Sequence, residues 1–231
     1  MKNNFLKGAH DGLTIAFGYL SVSFSFGLLA RVGGLPVWAA IMISMTSLTS
    51  AGQFAGLGVM TACGSFAELA VGQLVINIRY MLMSLALSQK LEKMSTFKRM
   101  AISFGITDEI FAVAAIKRGE VGYSYMMGLI ATPYIGWSLG TILGATISSI
   151  LPDSLASAMG VTLYAMFIAI FVPEMKKSRT VVLAVVIAAG LSTAFKYLLP
   201  LLSSGWSMII AAVAAAAITA AVAPNNEEET A

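Results

Sequence analysis

One cysteine and one histidine are all that the 231 residues offer of the two side chains most used for redox and metal chemistry. Cys63 alone cannot close a disulfide or build a multi-cysteine metal site. His10 precedes the first apolar stretch, so no histidine cluster and no Ser/His or Cys/His pair is expected at membrane depth. No HExxH, Walker A or GxGxxG pattern occurs. No cofactor or metal is therefore expected, and no enzyme. Charge is equally scarce. Charged residues make up 11% of the chain and hydrophobic ones 58%, where a soluble domain carries about 25% charged residues. With a mean hydropathy of +0.85, the sequence reads as an all-α polytopic membrane protein, with the lipid bilayer as its solvent. The net charge of +3 is accounted for by loops facing the cytoplasm and does not point to nucleic acid.

Six stretches have the length of a full span: 13–31, 67–87, 123–149, 156–172, 180–200 and 206–223. The first follows Lys2 and Lys7 as a signal peptide would, but no A-x-A cleavage site comes after it, so it reads as a retained helix. Two segments fit poorly. Residues 36–64 would make a helix of about 44 Å against a core of about 30 Å, and "TSLTSAGQ" (46–53) interrupts them. Residues 101–116 are short and contain adjacent acids. Basic residues gather at Lys2/Lys7, Lys90–Arg99, Lys117/Arg118 and Lys176–Arg179. All four groups fall on the cytoplasmic side only if 36–64 and 101–116 each leave by the face they entered. The expected architecture is six full spans plus two broken or re-entrant segments, both termini cytoplasmic, with Arg31 an exception at the outer end of the first span. Two real, slightly displaced helices at 37–49 and 53–66 are the competing reading.

An inverted repeat in the N-terminal half follows from this arrangement. "SAGQFA" (50–55) and "TDEIFA" (107–112) would be its two tips, aligning Phe54 with Phe111. Secondary transporters place substrate where such broken segments meet near the midplane. Residues 1–223 read as a single transmembrane domain, and 224–231 as a short polar tail.

Within that frame a few residues stand out. Asp108 and Glu109 are about 100° apart on a helix, so they do not form a shared-proton dyad. Thr107 before them suggests the polar start of a half-helix, where acids favour the dipole. They are either an N-terminal cap region at the interface or a proton-exchanging site facing a cavity; a carboxylate stripped of water at depth is suited to the latter. Arg79 sits mid-span with Asn77 nearby, at a cost of about 3 kcal/mol on insertion scales unless paired. Its natural partners are Asp108 and Glu109, as a structural ion pair or as a reader of substrate carboxylate and a gate. Ser50, Ala51 and Gly52 could present backbone N–H groups to a carboxylate, with Gln53 hydrogen-bonding substrate, unless the break is a plain interfacial loop. Gly136, Gly140 and Gly144 form one helix face fit for close packing. The methionines read as core filler.

"SVSFSFGLLARVGG", "TSAGQF", "NIRYMLMSLAL", "FGITDEIFA" and "GWSLGTILGA" resemble, in order and spacing, the AzlC family over roughly residues 10–200. That family is the large subunit of two-component branched-chain amino acid exporters. The resemblance implies efflux of leucine, isoleucine, valine and similar apolar amino acids from a bacterial-type cytoplasmic membrane, with a small AzlD-type membrane subunit as partner. Carried over by position, its motif residues are Ser50, Ala51, Gly52, Gln53, Phe54, Asn77, Arg79, Thr107, Asp108, Glu109 and Phe111. Where the family often has histidine after the arginine, this chain has Tyr80, so proton coupling would fall on Asp108 or Glu109. An ion or water channel, an inert structural subunit and, more remotely, a membrane enzyme are the other classes that composition leaves open.

Overall fold

The computed structural model describes residues 4–147, 178–199 and 202–222, with single positions at 168, 172, 175 and 176 between them. Apart from positions 168 and 172, the expected span at 156–172 lies outside the described residues, as does the tail at 224–231. Among those described the chain is all-helical, apart from an isolated bridge between Leu91 and Val121. The helices are α1 (Phe5–Val32), α2 (Val37–Thr46), α3 (Ser50–Thr61), α4 (Phe66–Ser88), α5 (Thr96–Phe104), α6 (Asp108–Ile116), α7 (Tyr123–Ile147), α8 (Arg179–Leu198) and α9 (Ser204–Val222). Five of them, α1, α4, α7, α8 and α9, are long and apolar enough to cross a membrane. The chain is thus a multi-pass membrane protein.

Two expected boundaries are corrected. α1 begins at Phe5 rather than near residue 13, because its start is set by a cap and not by hydropathy. Asn4 is the N-cap, and its side chain accepts from the Lys7 N–H at 3.0 Å. The segment expected at 101–116 is two helices and starts at Thr96. Lys98 and Arg99 belong to an amphipathic α5, which a search for apolar runs passes over.

The breaks have local causes. At the end of α2 the Thr46 hydroxyl donates back to the Met42 carbonyl at 2.7 Å, and Ser47 is extended. A run of hydroxyl side chains competes in this way with helix continuation. α5 stops at Gly105, and Thr107, also extended, caps α6 by accepting from the Ile110 N–H.

Contacts group the helices into two compact units, dividing α3 between Phe54 and Ala55 and α4 between Val75 and Ile76. In the first unit α1 and α7 pack side by side and parallel. Gly8 lies against Tyr125, Gly136 against Ala16, Gly144 against Phe24 and Gly27 against Thr141. A Cβ at Gly8, Gly27, Gly128, Gly140 or Gly144 would overlap the opposing helix, so these glycines set the approach of the two backbones. α7 runs unbroken through Pro133.

Around this pair the short helices form two hairpins of opposite sense. α2 starts beside the C-terminal end of α1, where the Leu35 N–H donates to the Ala30 carbonyl, and reaches mid-α7, where Tyr134 donates to the Met45 carbonyl at 2.9 Å. α3 then turns back, and Phe54 meets Phe26 edge-on with ring centroids 5.4 Å apart. α4 runs opposite to α1, ending with Leu87 in the apolar cluster at the N-terminal end of α7. α5 starts at that same end, with Lys98 over the Tyr123 ring. It rises until Gly105 packs on Ile130. α6 then returns, so that Lys117 lies over the Tyr125 ring. The triplets α1–α2–α3 and α4–α5–α6 therefore run in opposite directions along α7.

In the second unit α8 and α9 pack together. Ser65 accepts from the Glu68 N–H at the start of α4. The buried Glu68 carboxylate accepts from Ser203 at 2.7 Å. Gly205 leaves room for that carboxylate, which a Cβ would overlap.

Candidate functional site

The tips of the two hairpins meet. A cavity of about 160 Å³ is lined by Ser47 and Thr49 from the α2–α3 break, Asn77 and Tyr80 from α4, and Ser103 and Ile106 beside the α5–α6 break. Thr49 donates to Asn77 Oδ1 at 2.6 Å, and the Tyr80 hydroxyl lies 3.4 Å from Thr49. The walls are mainly apolar, with Leu48, Phe104 and Ile106 among the lining, and carry a few polar groups such as Ser47, Thr49 and Asn77, the mixture found in small-molecule sites.

Beside it stand the charges. Arg79 Nη2 pairs with Asp108 Oδ2 at 2.9 Å. The guanidinium carbon sits 5.1 Å from the centre of the Tyr80 ring. Arg79 Nε is buried with no hydrogen-bond partner among the described residues. Glu109, on the next position of α6, points elsewhere: its Oε2 lies 2.5 Å from the Tyr19 hydroxyl on α1. That hydroxyl also lies 2.7 Å from Thr107 Oγ1. The Tyr19 ring is held edge-on by Trp137, centroids 5.1 Å apart. The adjacent acids thus serve two different neighbours, as the 100° helical step requires.

Other expected residues fall differently. Ser50, Ala51, Gly52 and Gln53 form the first turn of α3 directly after the lining residue Thr49, and Gln53 donates to Ser44, which bonds Thr141 at 2.7 Å. Gln53 Oε1 is buried without a partner among the described residues. Phe54 packs on Phe26, and Phe111 packs against the apolar cluster at the N-terminal end of α7. The residues that sequence reasoning missed are Tyr19, Thr49 and the buried Glu68; Tyr80 was noted only as a departure from histidine and not as part of the cavity wall. A tyrosine inside an apolar span is a usable signal, because a buried phenol seeks a partner.

A second, wider cavity of about 550 Å³ opens at the N-terminal end of α7, lined by Lys7, Asp11, Lys117, Arg118, Glu120 and Tyr125 among others. Burial, and then the Lys7 ammonium, hold Lys117 below the ordinary lysine range, with Asp11 opposing them. Tyr125 donates to Asp11 at 2.7 Å. Among the described residues no group of three or more His, Cys, Asp or Glu side chains is placed to hold a metal ion.

A family model described as AzlC protein matches residues 14–151. The chain is 26% identical over 204 residues to the inner membrane protein YgaZ of Escherichia coli K12, covering 85% of this chain and 83% of that protein. It is 32% identical over 210 residues to an uncharacterized membrane protein of Archaeoglobus fulgidus, covering 90% of each. A membrane protein of Helicobacter pylori J99, also uncharacterized, is 23% identical over 222 residues, covering 90% of this chain and 96% of the relative. No solved structure matches significantly.

Proposed function

The chain belongs to the AzlC family, and on that premise we propose that it is a secondary transporter exporting branched-chain or similar apolar amino acids. In this reading it is coupled to protons, lies in the cytoplasmic membrane and works with a small AzlD-type subunit. The observation that carries the reading is the meeting of two oppositely directed hairpins in a polar cavity beside Arg79–Asp108 and Tyr19–Glu109. Lys7, Lys90, Lys98 and Lys117 all gather at the N-terminal end of α7. With that end in the cytoplasm, α5–α6 dips from inside and α2–α3 from outside, as inverted re-entrant copies.

A zwitterion in the cavity would find an amide at Asn77, hydroxyls at Thr49 and Tyr80, and the Arg79 guanidinium close by for its carboxylate. The apolar side chain would rest on Leu48 and Ile106, which also line the cavity. Ser50, Ala51, Gly52 and Gln53 act in this reading from the first turn of α3, behind the wall, where a helix start favours an anion. The test is leucine accumulation in cells fed a leucine-containing dipeptide, with and without this chain and a co-expressed small subunit. Cells expressing both should hold several-fold less leucine. Equal accumulation with both proteins present in the membrane would overturn the reading.

A further inference from the structure

We infer that Glu109, and not Asp108, is the carboxylate that takes up and releases the transported proton, and that Tyr19 and Thr107 form with it a reversible hydrogen-bond relay. This deepens the coupled-transport reading above and rests on it for the proton's purpose.

The geometry separates the two acids. Asp108 is matched to Arg79 at 2.9 Å, and a guanidinium does not give up its charge. A proton on Asp108 would leave that cation without its counter-charge, so the pair is best kept ionised. Asp108 is then a positioning residue that fixes Arg79 beside the cavity. Glu109 has no cation in an ion pair with it among the described residues; its partner is the neutral Tyr19 hydroxyl. The charged and titratable groups around it are few. α1 contributes Tyr19 and its own helix contributes Asp108, while on α4 Tyr80 acts on Tyr19 and Arg79 on Asp108. On α7, the Tyr125 hydroxyl is engaged by Asp11 and the Tyr134 hydroxyl by the Met45 carbonyl.

The relay follows from counting protons. The Tyr19 hydroxyl lies 2.5 Å from Glu109 and 2.7 Å from Thr107, yet a phenol carries one proton and donates once. With Glu109 ionised, Thr107 donates to Tyr19 and Tyr19 donates to the carboxylate. With Glu109 protonated, its O–H donates to Tyr19, and Tyr19 donates to Thr107 Oγ1. One proton is gained from water, the two hydroxyls rotate, and no bond between heavy atoms changes. Both states are satisfied, so neither is blocked by an unpaired buried group. They differ in where the Thr107 proton points. In the second state it is released from Tyr19, at the residue that caps α6 and sits at the hairpin tip. The protonation of Glu109 is thereby read out beside the substrate cavity.

Infrared difference spectra of the full chain in lipid vesicles, recorded over a pH series, test this directly through the protonated-carboxyl stretch. Glu109→Gln should remove a band that grows as pH falls, and Asp108→Asn should leave it. Tyr19→Phe should keep the band but move its midpoint upward by about 1–2 pH units, the worth of one hydrogen bond to a charged group. A band lost in Asp108→Asn and kept in Glu109→Gln, or a midpoint unmoved by Tyr19→Phe, would overturn the proposal. The readout needs no substrate. If the bands behave as expected while leucine is not exported, the substrate reading fails and the relay stands.

Discussion

Arg79 and Asp108 face each other across 2.9 Å with 41% and 38% of their side chains accessible. Such a pair falls between a surface bridge, worth up to about 1 kcal/mol, and a buried one, whose breaking costs roughly 3–5 kcal/mol. The two halves are not equivalent. Arg79→Met strands a carboxylate that can neutralise itself by taking a proton, whereas Asp108→Asn strands a cation that cannot. We expect Asp108→Asn to lower thermal stability in detergent micelles more than Arg79→Met. The double variant should recover about 1–3 kcal/mol relative to the sum of the singles; strict additivity would show that the pair carries no coupling. That Arg79 pairs with one of the two adjacent acids was legible in the sequence, because charges in an apolar chain must find each other; that the partner is Asp108 was not. Nor were the partners of Tyr19. They are 88 and 90 positions away; "FGYLSVSF" signals a phenol in need of a partner but not which partner it finds.

For helices the decisive information is spacing and caps. The Gly136–Gly140–Gly144 face reads from sequence as a packing surface, and it packs on α1. Gly144→Leu, whose side chain would overlap the Phe24 carbonyl, should cost about 3 kcal/mol or more and yield little folded protein. At Gly18 an added Cβ would meet nothing within 4 Å. Gly18→Ala should therefore be neutral, or stabilising by up to about 1 kcal/mol, in the same unfolding assay. Equal effects of the two substitutions would mean that the seam is not what holds α1 to α7. The polar start of α6 was legible through Thr107, and the α2–α3 break through its run of hydroxyls. What hydropathy hid was α5, whose Lys98 and Arg99 disguise a helix as a loop. The expected binding residues at 50–54 form the first turn of α3, and Thr49 just before them is the residue that touches the cavity.

Across the whole molecule, charge counting gave two segments that return to the face they left. For one of them, α5–α6, Lys98 and Lys117 meet Tyr123 and Tyr125 at one end of α7, so this hairpin ends beside the place where it began. Cys63 is exposed in the turn between α3 and α4. In intact cells a membrane-impermeant maleimide should label it. In a Cys63→Ser background, Glu120→Cys should react only after the membrane is permeabilised. The reverse pattern would invert the proposed orientation. Pairing across long separations is what a single sequence cannot reveal, and the parallel α1–α7 seam is the main example.

That seam also has a consequence in time. Gly8 meets Tyr125, which the ribosome adds 117 residues later. At ordinary rates of synthesis the interval is on the order of 10 s. Throughout it the α1 groove has no α7 to receive it and must be tolerated by lipid or by the insertion machinery. The most intimate contact in the first unit is thus among the last to become available to the growing chain.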